Sequence, residues 1–384
     1  MPEVLAAPRP RHIHRVAVSA SFLLQGLVFS TWASRIPTIQ QKLHLSETEL
    51  GGVLLAVPVG SVFSLPLAGW LVANYGSRTL TVAGVLLYAA MLPLLGLAAT
   101  TVQLLAVLVV FGLGSNLANI SVNTQAVGVE ALYGRSILAS FHGIWSLAGF
   151  IGASLGTLMI AWHVVPTTHF ALIATIVWLG VALLQACLLP TDPPRPADQP
   201  LFVLPDKELL LLGVLAFCSL LAEGTMFDWS GVYFREIVQV PPARVGLGFA
   251  AFMSMMATGR FVADWFTNRF GRVRTLQLSG VLTTAGLTLA VALPALSTAV
   301  VGFMLVGLGV SSVVPLVYSA AGRSRTMPAG VALAAVSTVG FAGFLLGPPV
   351  IGLVAGLSSL RVSFAIIAVM GLAVAALARP AAGR

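Results

Sequence analysis

The sequence predicts an all-α integral membrane protein of twelve spanning helices, arranged as two pseudo-symmetric six-helix bundles. Composition is the first sign. Of 384 residues, 58% are hydrophobic and only 8% charged, with a mean hydropathy of +0.98. A soluble domain carries roughly 25% charged residues, so water cannot be the main solvent of this chain. Second, the apolar residues fall in runs of about 18 or more, the length that crosses a bilayer as a helix. A membrane β-barrel would instead alternate apolar and polar residues over about ten positions. Third, the chain echoes itself at half its length. Gln25-Gly26-Leu27-Val28-Phe29-Ser30 returns as Glu223-Gly224-Thr225-Met226-Phe227-Asp228, and Tyr75-Gly76-Ser77-Arg78-Thr79-Leu80 returns around Phe270-Gly271-Arg272 through Leu276. Two copies of one membrane module are therefore expected.

Charges, Gly and Pro punctuate the apolar runs into spans near 16–40, 50–73, 79–99, 102–125, 136–161 and 165–189 in the first half. The second half gives spans near 208–238, 244–266, 275–294, 297–320, 329–355 and 359–378. Residues 190–207, rich in Pro, form the linker between an N-terminal bundle at 1–189 and a C-terminal bundle at 208–384. An even number of spans puts both termini on one side. With the termini inside, fourteen of the 20 basic residues fall on the inner side and Arg260 lies within a span. Only Arg35, Lys42, Arg235, Arg244 and Arg361 fall outside. The positive-inside bias therefore places both termini in the cytoplasm. The first apolar run follows Arg9, Arg11 and Arg15 but continues through Gln25, Trp32 and Arg35 with no small-residue cleavage pattern, so it reads as a retained first span.

The net charge of +8 is spread over the ends of apolar runs and marks topology, not nucleic-acid binding. Cys187 and Cys218 fall inside predicted spans and read as packing residues. No nucleophile elbow, phosphate-binding loop, metal-ligand spacing or paired catalytic acids stand out, so neither an enzyme nor a metal or cofactor site is expected.

From Gly259 the chain reads Gly-Arg-Phe-Val-Ala-Asp-Trp-Phe-Thr-Asn-Arg-Phe-Gly-Arg-Val-Arg. This resembles the loop signature of the major facilitator superfamily, at the place between spans 8 and 9 where that family carries it. The first-half copy keeps Gly69, Gly76 and Arg78 but has Ala73 and Asn74 where the family usually has Asp and Arg. Asn116 to Glu130, Phe141-His142-Gly143-Ile144-Trp145-Ser146, and Gly340 to Gly352 with Gly347-Pro348-Pro349 resemble the fucose-permease-like branch and its bacterial relatives. The resemblance implies the major facilitator fold, with spans 1, 4, 7 and 10 lining a cavity and two bundles rocking around it. It also implies a lock in which Asp264 meets the start of span 5, around Gly134 to Ser136, with Arg269 and Arg272 completing the cluster.

Polar residues within the spans are the candidate site, because a charge at membrane depth costs roughly 2.5–3.5 kcal/mol on insertion scales. Glu223 and Asp228 in span 7 are separated by about 140° around the helix and about 7.5 Å along it. Either is a candidate proton-binding carboxylate; a fixed ion pair or an interhelical hydrogen bond is the structural alternative. Arg35 either pairs with Asp228 across the two halves or snorkels to the outer interface. Asn116, Asn119 and Asn123 form a stripe at i, i+3 and i+7, suited either to a hydroxyl-bearing or zwitterionic solute or to holding helices together. His142, either a proton relay or a donor of one hydrogen bond to a neighbouring helix, shares a face of span 5 with Trp145, a further candidate solute ligand. Trp32 and Trp229 are either ring platforms for a solute or interface anchors. Gln25 joins this solute-binding set. Glycines such as Gly112 with Gly114 and Gly343 with Gly347 are expected at helix crossings.

The expected function is secondary active transport of a small solute across the bacterial inner membrane by alternating access, coupled to protons. The expected partners are the solute, protons and lipid, with no nucleic acid, and the expected state is a monomer. Proton-driven efflux of amphipathic drugs is the alternative within the same fold; a membrane enzyme or receptor-like scaffold is a third reading.

Overall fold

The computed structural model describes residues 9–134, 137–190, 206–324, 327 and 329–382. Among them, twelve helical stretches are long and apolar enough to cross a membrane, and no strand occurs. The chain divides into two compact units: Met1–His44 with Val53–Arg195, and Leu45–Gly52 with Pro196–Arg384. The segment Leu45–Gly52 thus belongs by its contacts to the second unit, an exchange absent from the division at 189 and 208. Thr48 Oγ1 donates to Gly352 O at 3.3 Å within that unit.

The helices in chain order begin with α1 (Arg11–Lys42), α2 (Glu47–Leu54), α3 (Ala56–Tyr75) and α4 (Ser77–Leu97). They continue with α5 (Thr101–Tyr133), α6 (Leu138–Ala161) and α7 (Pro166–Leu184). After the linker come α8 (Lys207–Glu236), α9 (Leu247–Phe270), α10 (Arg272–Ala292) and α11 (Leu296–Val310). The last are α12 (Val313–Ala321), α13 (Ala329–Leu357) and α14 (Leu360–Leu377). The second span is divided into α2 and α3 at Leu55. Pro58 has no N–H to offer Leu54 O, so the ladder breaks there and resumes where Val59 N–H donates to Leu55 O. The tenth span likewise divides into α11 and α12, where Ser311 Oγ donates back to Leu308 O at 2.7 Å.

Local chemistry sets the helix ends. Thr100, Asp206 and Ser359 each accept a backbone N–H of the helix that follows, capping α5, α8 and α14. Gly76 ends α3 with φ 78° and ψ 149°, and Gly271 ends α9 with φ 85° and ψ 156°. These are the two glycines of the echoed loop, and a side chain at such φ would be strained. The sequence echo is therefore also a backbone echo.

Each unit is held by close helix approach. In the first, α1 packs on α5 and α6, where Ala17, Val18 and Phe22 meet Val122, Ala126 and Phe141. In the second, α8 packs against α13, its counterpart pairing. The most buried helices are α1 and α8, with 72% of their apolar stretch inside, so the polar residues they carry must find partners in protein. A Cβ on Gly112 of α5 would collide with the Val57 carbonyl of α3, and one on Gly343 of α13 with the Phe217 carbonyl of α8. Only glycine permits these backbone approaches.

Gly112→Val is expected to lower the thermal unfolding midpoint of the detergent-solubilised protein, on the scale of about 1–3 kcal/mol for overpacking. An unchanged midpoint would show that α3 and α5 do not depend on this contact.

Candidate functional site

The second unit contains a buried ion pair. Glu223, on α8, is 6% exposed, and its Oε1 accepts from Arg260 Nη2 of α9 at 3.3 Å. Arg260 explains itself by the same rule as Glu223: a charge within a span needs a partner in protein, and α8 supplies this cation with a carboxylate. Asp228, five residues on, is half-buried and, among the described residues, makes no hydrogen bond or ion pair. The two carboxylates of span 7 therefore have different environments.

The first unit satisfies its own membrane-depth cation differently. Arg35 is 2% exposed, and its Nη2 donates to Val164 O at 2.8 Å while its Nε donates to His169 Nδ1 at 3.2 Å. Both partners lie in the first unit, at or beside α7. This internal clamp, at 2% exposure, corrects the expectation that Arg35 snorkels to the outer interface. Because Arg35 can only donate, His169 must present Nδ1 as an acceptor and carry its proton on Nε2.

The asparagine stripe divides. Asn116 Nδ2 donates to Ser64 Oγ at 2.6 Å and to Ser61 O at 3.2 Å, tying α5 to α3 within its own unit. Asn116 is therefore interhelical glue, not an open solute ligand. Asn119 is exposed and Asn123 half-buried; Asn123 Nδ2 donates to Asn119 O at 2.8 Å and to Asn119 Oδ1 at 3.3 Å. This pair leaves polar capacity on an accessible face of α5.

Of the tryptophans, Trp32 is buried edge-on against Phe111, and Trp229 is wholly buried with its Nε1 unpartnered. Neither has an open ring face, which corrects their expected use as platforms or interface anchors. Trp145 is half-buried and tilted on Phe29, with centroids 5.7 Å apart. His142 is exposed and edge-on to Phe22. Gln25 is buried and its Nε2 donates to Ala118 O of α5 at 3.4 Å, again a packing contact.

The start of α6 is Leu138, and Glu130 Oε2 accepts from the N–H groups of Ile137 at 2.7 Å and Leu138 at 3.0 Å. An anion at this helix start is thus Glu130, from α5 of the same unit. Of Gly134 to Ser136, only Gly134 is among the described residues, and it closes α5 in the left-handed region at φ 64°. Asp264 and Arg269 are exposed and, among the described residues, make no hydrogen bond or ion pair; Arg272 is half-buried.

Sequence reasoning missed Glu130 and also Gln125. Gln125 is 1% exposed: its Nε2 donates to Ser77 Oγ and Leu189 O, and its Oε1 accepts from Leu189 N. This amide fastens α5 to the start of α4 and to the chain leaving α7. A Gln and a Glu five residues apart in an otherwise apolar run were the available signal.

Twelve apolar helices, a duplicated loop and buried ionic groups confined to span interiors define a membrane carrier built from two repeated bundles. The comparisons with known proteins make this specific. The family model of the Major Facilitator Superfamily matches residues 18–237 and 212–382, and the chain belongs to that superfamily. It is 36% identical over 374 residues to an uncharacterised transporter of the superfamily from Yersinia pestis, covering 97% of each chain. It is 30% identical over 363 residues to the membrane protein MosC of Rhizobium meliloti, covering 94% of this chain and 88% of that one. Among solved structures, the nucleoside transporter NupG matches with a TM-score of 0.76 at 15% identity, over 96% of this chain and 99% of that one. A bacterial homologue of the lysosomal transporter Spinster matches at 0.72 and 14% identity, over 97% of each. At such identities these structures establish the fold. The chain is a multi-pass membrane transporter.

Glu130→Ala is expected to cost about 2–3 kcal/mol, because two part-buried N–H groups lose a charged acceptor. The thermal midpoint should fall accordingly, and Glu130→Gln should recover part of the loss. Equal stability of all three proteins would remove Glu130 from this role.

Proposed function

We propose that this chain is a proton-coupled carrier of a small polar solute in the bacterial inner membrane. It works by alternating access as a monomer, with both termini in the cytoplasm and no enzymatic activity of its own. The observation that carries the reading is the Glu223–Arg260 pair inside the second unit. A buried ion pair stabilises little by itself, because desolvation offsets the attraction, and removing one charge strands the other. Such a pair is a sensitive switch. Protonation of Glu223 cancels the attraction and frees Arg260, so proton binding and a change of helix packing become one event. Asp228 is the reserve carboxylate for the same task.

Solute recognition falls to polar and aromatic groups that are not wholly buried: Asn119 and Asn123 on α5, with His142 and Trp145 on α6. Amides offer both donors and acceptors, which suits hydroxyl-bearing or zwitterionic solutes more than hydrocarbon-like drugs.

Glu223→Gln, reconstituted in liposomes, is expected to lose accumulation driven by a pH gradient while retaining solute exchange. Accumulation at the wild-type level would refute Glu223 as the coupling group, and Asp228→Asn in the same assay then tests the reserve. The solute comes from a thermal-shift screen of sugars, amino acids and nucleosides, since a ligand at 100 times its Kd stabilises by about 2.7 kcal/mol.

Asn119→Leu is expected to weaken solute binding with little loss of stability, whereas Asn116→Leu should lower stability by stranding Ser64 Oγ and Ser61 O. A solute Kd untouched by Asn119→Leu would remove α5 from the binding surface.

A further inference from the structure

The second unit carries a polar cleft of about 960 Å³ that the transport reading does not use. It is bounded by the Thr267–Arg274 turn between α9 and α10, the first turn of α8, the end of α12 and Arg379 beyond α14. Its charge is one-sided: Arg272, Arg274, Arg323 and Arg379 line it, with Glu208 as the single carboxylate. Among the described residues, the guanidinium groups of Arg274, Arg323 and Arg379 make no hydrogen bond or ion pair. Guanidinium groups brought together from three separated parts of the chain repel one another unless an anion joins them.

A further feature points the same way. The cleft contains the start of α10, a 21-residue helix with no side-chain cap, so the Val273 and Arg274 N–H groups have no intrahelical acceptor. The positive end of the helix dipole is therefore directed at the same space. The corresponding turn of the first unit has the same glycine geometry at Gly76, yet its only basic residue is Arg78. The basic cleft is thus an addition to the second copy and not a requirement of the turn.

We propose that this cleft binds a phosphate-bearing anion, held by Arg274, Arg323 and Arg379 and oriented by the free N–H groups at the start of α10. Guanidinium matches phosphate oxygens in a two-pronged geometry, and helix starts add directed N–H donors. The phosphate is carried either by an anionic lipid at the membrane surface or by a soluble molecule. The chemistry at the cleft is the same for both. The site is independent of the Glu223–Arg260 pair and of which solute is carried.

The test uses the full-length protein in neutral detergent micelles, with the thermal midpoint and native mass spectrometry as readouts. Phosphatidylglycerol, phosphatidylcholine and inorganic pyrophosphate are titrated in turn. Wild type is expected to be stabilised by phosphatidylglycerol over phosphatidylcholine if the source is lipid, or by pyrophosphate if it is soluble. Arg274→Gln with Arg323→Gln should weaken whichever anion binds by about 30-fold, the scale for losing two basic contacts at a membrane surface. Glu208→Gln removes the opposing charge and should tighten binding, an outcome that misfolding cannot imitate. The proposal is overturned if neither anion is preferred over phosphatidylcholine, or if wild type, the double variant and Glu208→Gln bind alike.

Discussion

Inside a hydrocarbon slab a polar group cannot turn to water, so a donor, acceptor or charge left without a protein partner is costly. Most of this structure follows from that constraint. Backbone groups answer one another along helices, and each irregularity is repaired locally: the Pro58 break by Val59, the start of α6 by Glu130, the exit from α7 by Gln125. Side chains at depth obey the same rule. Arg35 takes a carbonyl and a histidine ring, Asn116 takes a hydroxyl and a carbonyl, and Glu223 takes Arg260.

Duplication explains the frame, and divergence explains the chemistry. Gly76 and Gly271 hold nearly the same φ and ψ, and α1 and α8 are the equally buried centres of their units. Yet the equivalent positions Gln25 and Glu223 do different things. The neutral amide holds α1 to α5 through a carbonyl, while the carboxylate holds α8 to α9 through an ion pair. A neutral hydrogen bond responds little to protonation, whereas an ion pair depends on it. Replacing one by the other at a repeated position changes a packing contact into a titratable one without altering the backbone. The loop after span 8 diverged in the same manner, gathering arginines on a turn whose first copy has one.

Much of the fold was legible in the chain. Apolar run length, the charge desert, Gly76 and Gly271, and the signature from Gly259 each report a local requirement: a span needs length, a tight turn needs glycine, and topology needs cations at its ends. These are properties of a segment and its solvent, so one dimension suffices to read them. Spacing also identified which polar residues needed an explanation.

Partners were not legible, because pairing is a property of distance between segments far apart in sequence. Asn116, Asn119 and Asn123 look equivalent by period, but α3 comes within reach of Asn116 and leaves Asn119 exposed. Arg35 seemed free to meet an acid until α7 placed His169 and Val164 beside it. Glu130 lies outside the echoed segments, and its carboxylate reaches the start of α6 because α5 runs eight residues past its predicted end, to Tyr133. Sequence alone determined the solvent, the spans and the duplication, since each is set by local hydrophobicity and turn geometry. Tertiary structure alone decided which polar groups are bound and which stay open, since a buried polar group is defined by whatever the fold brings within about 3 Å of it.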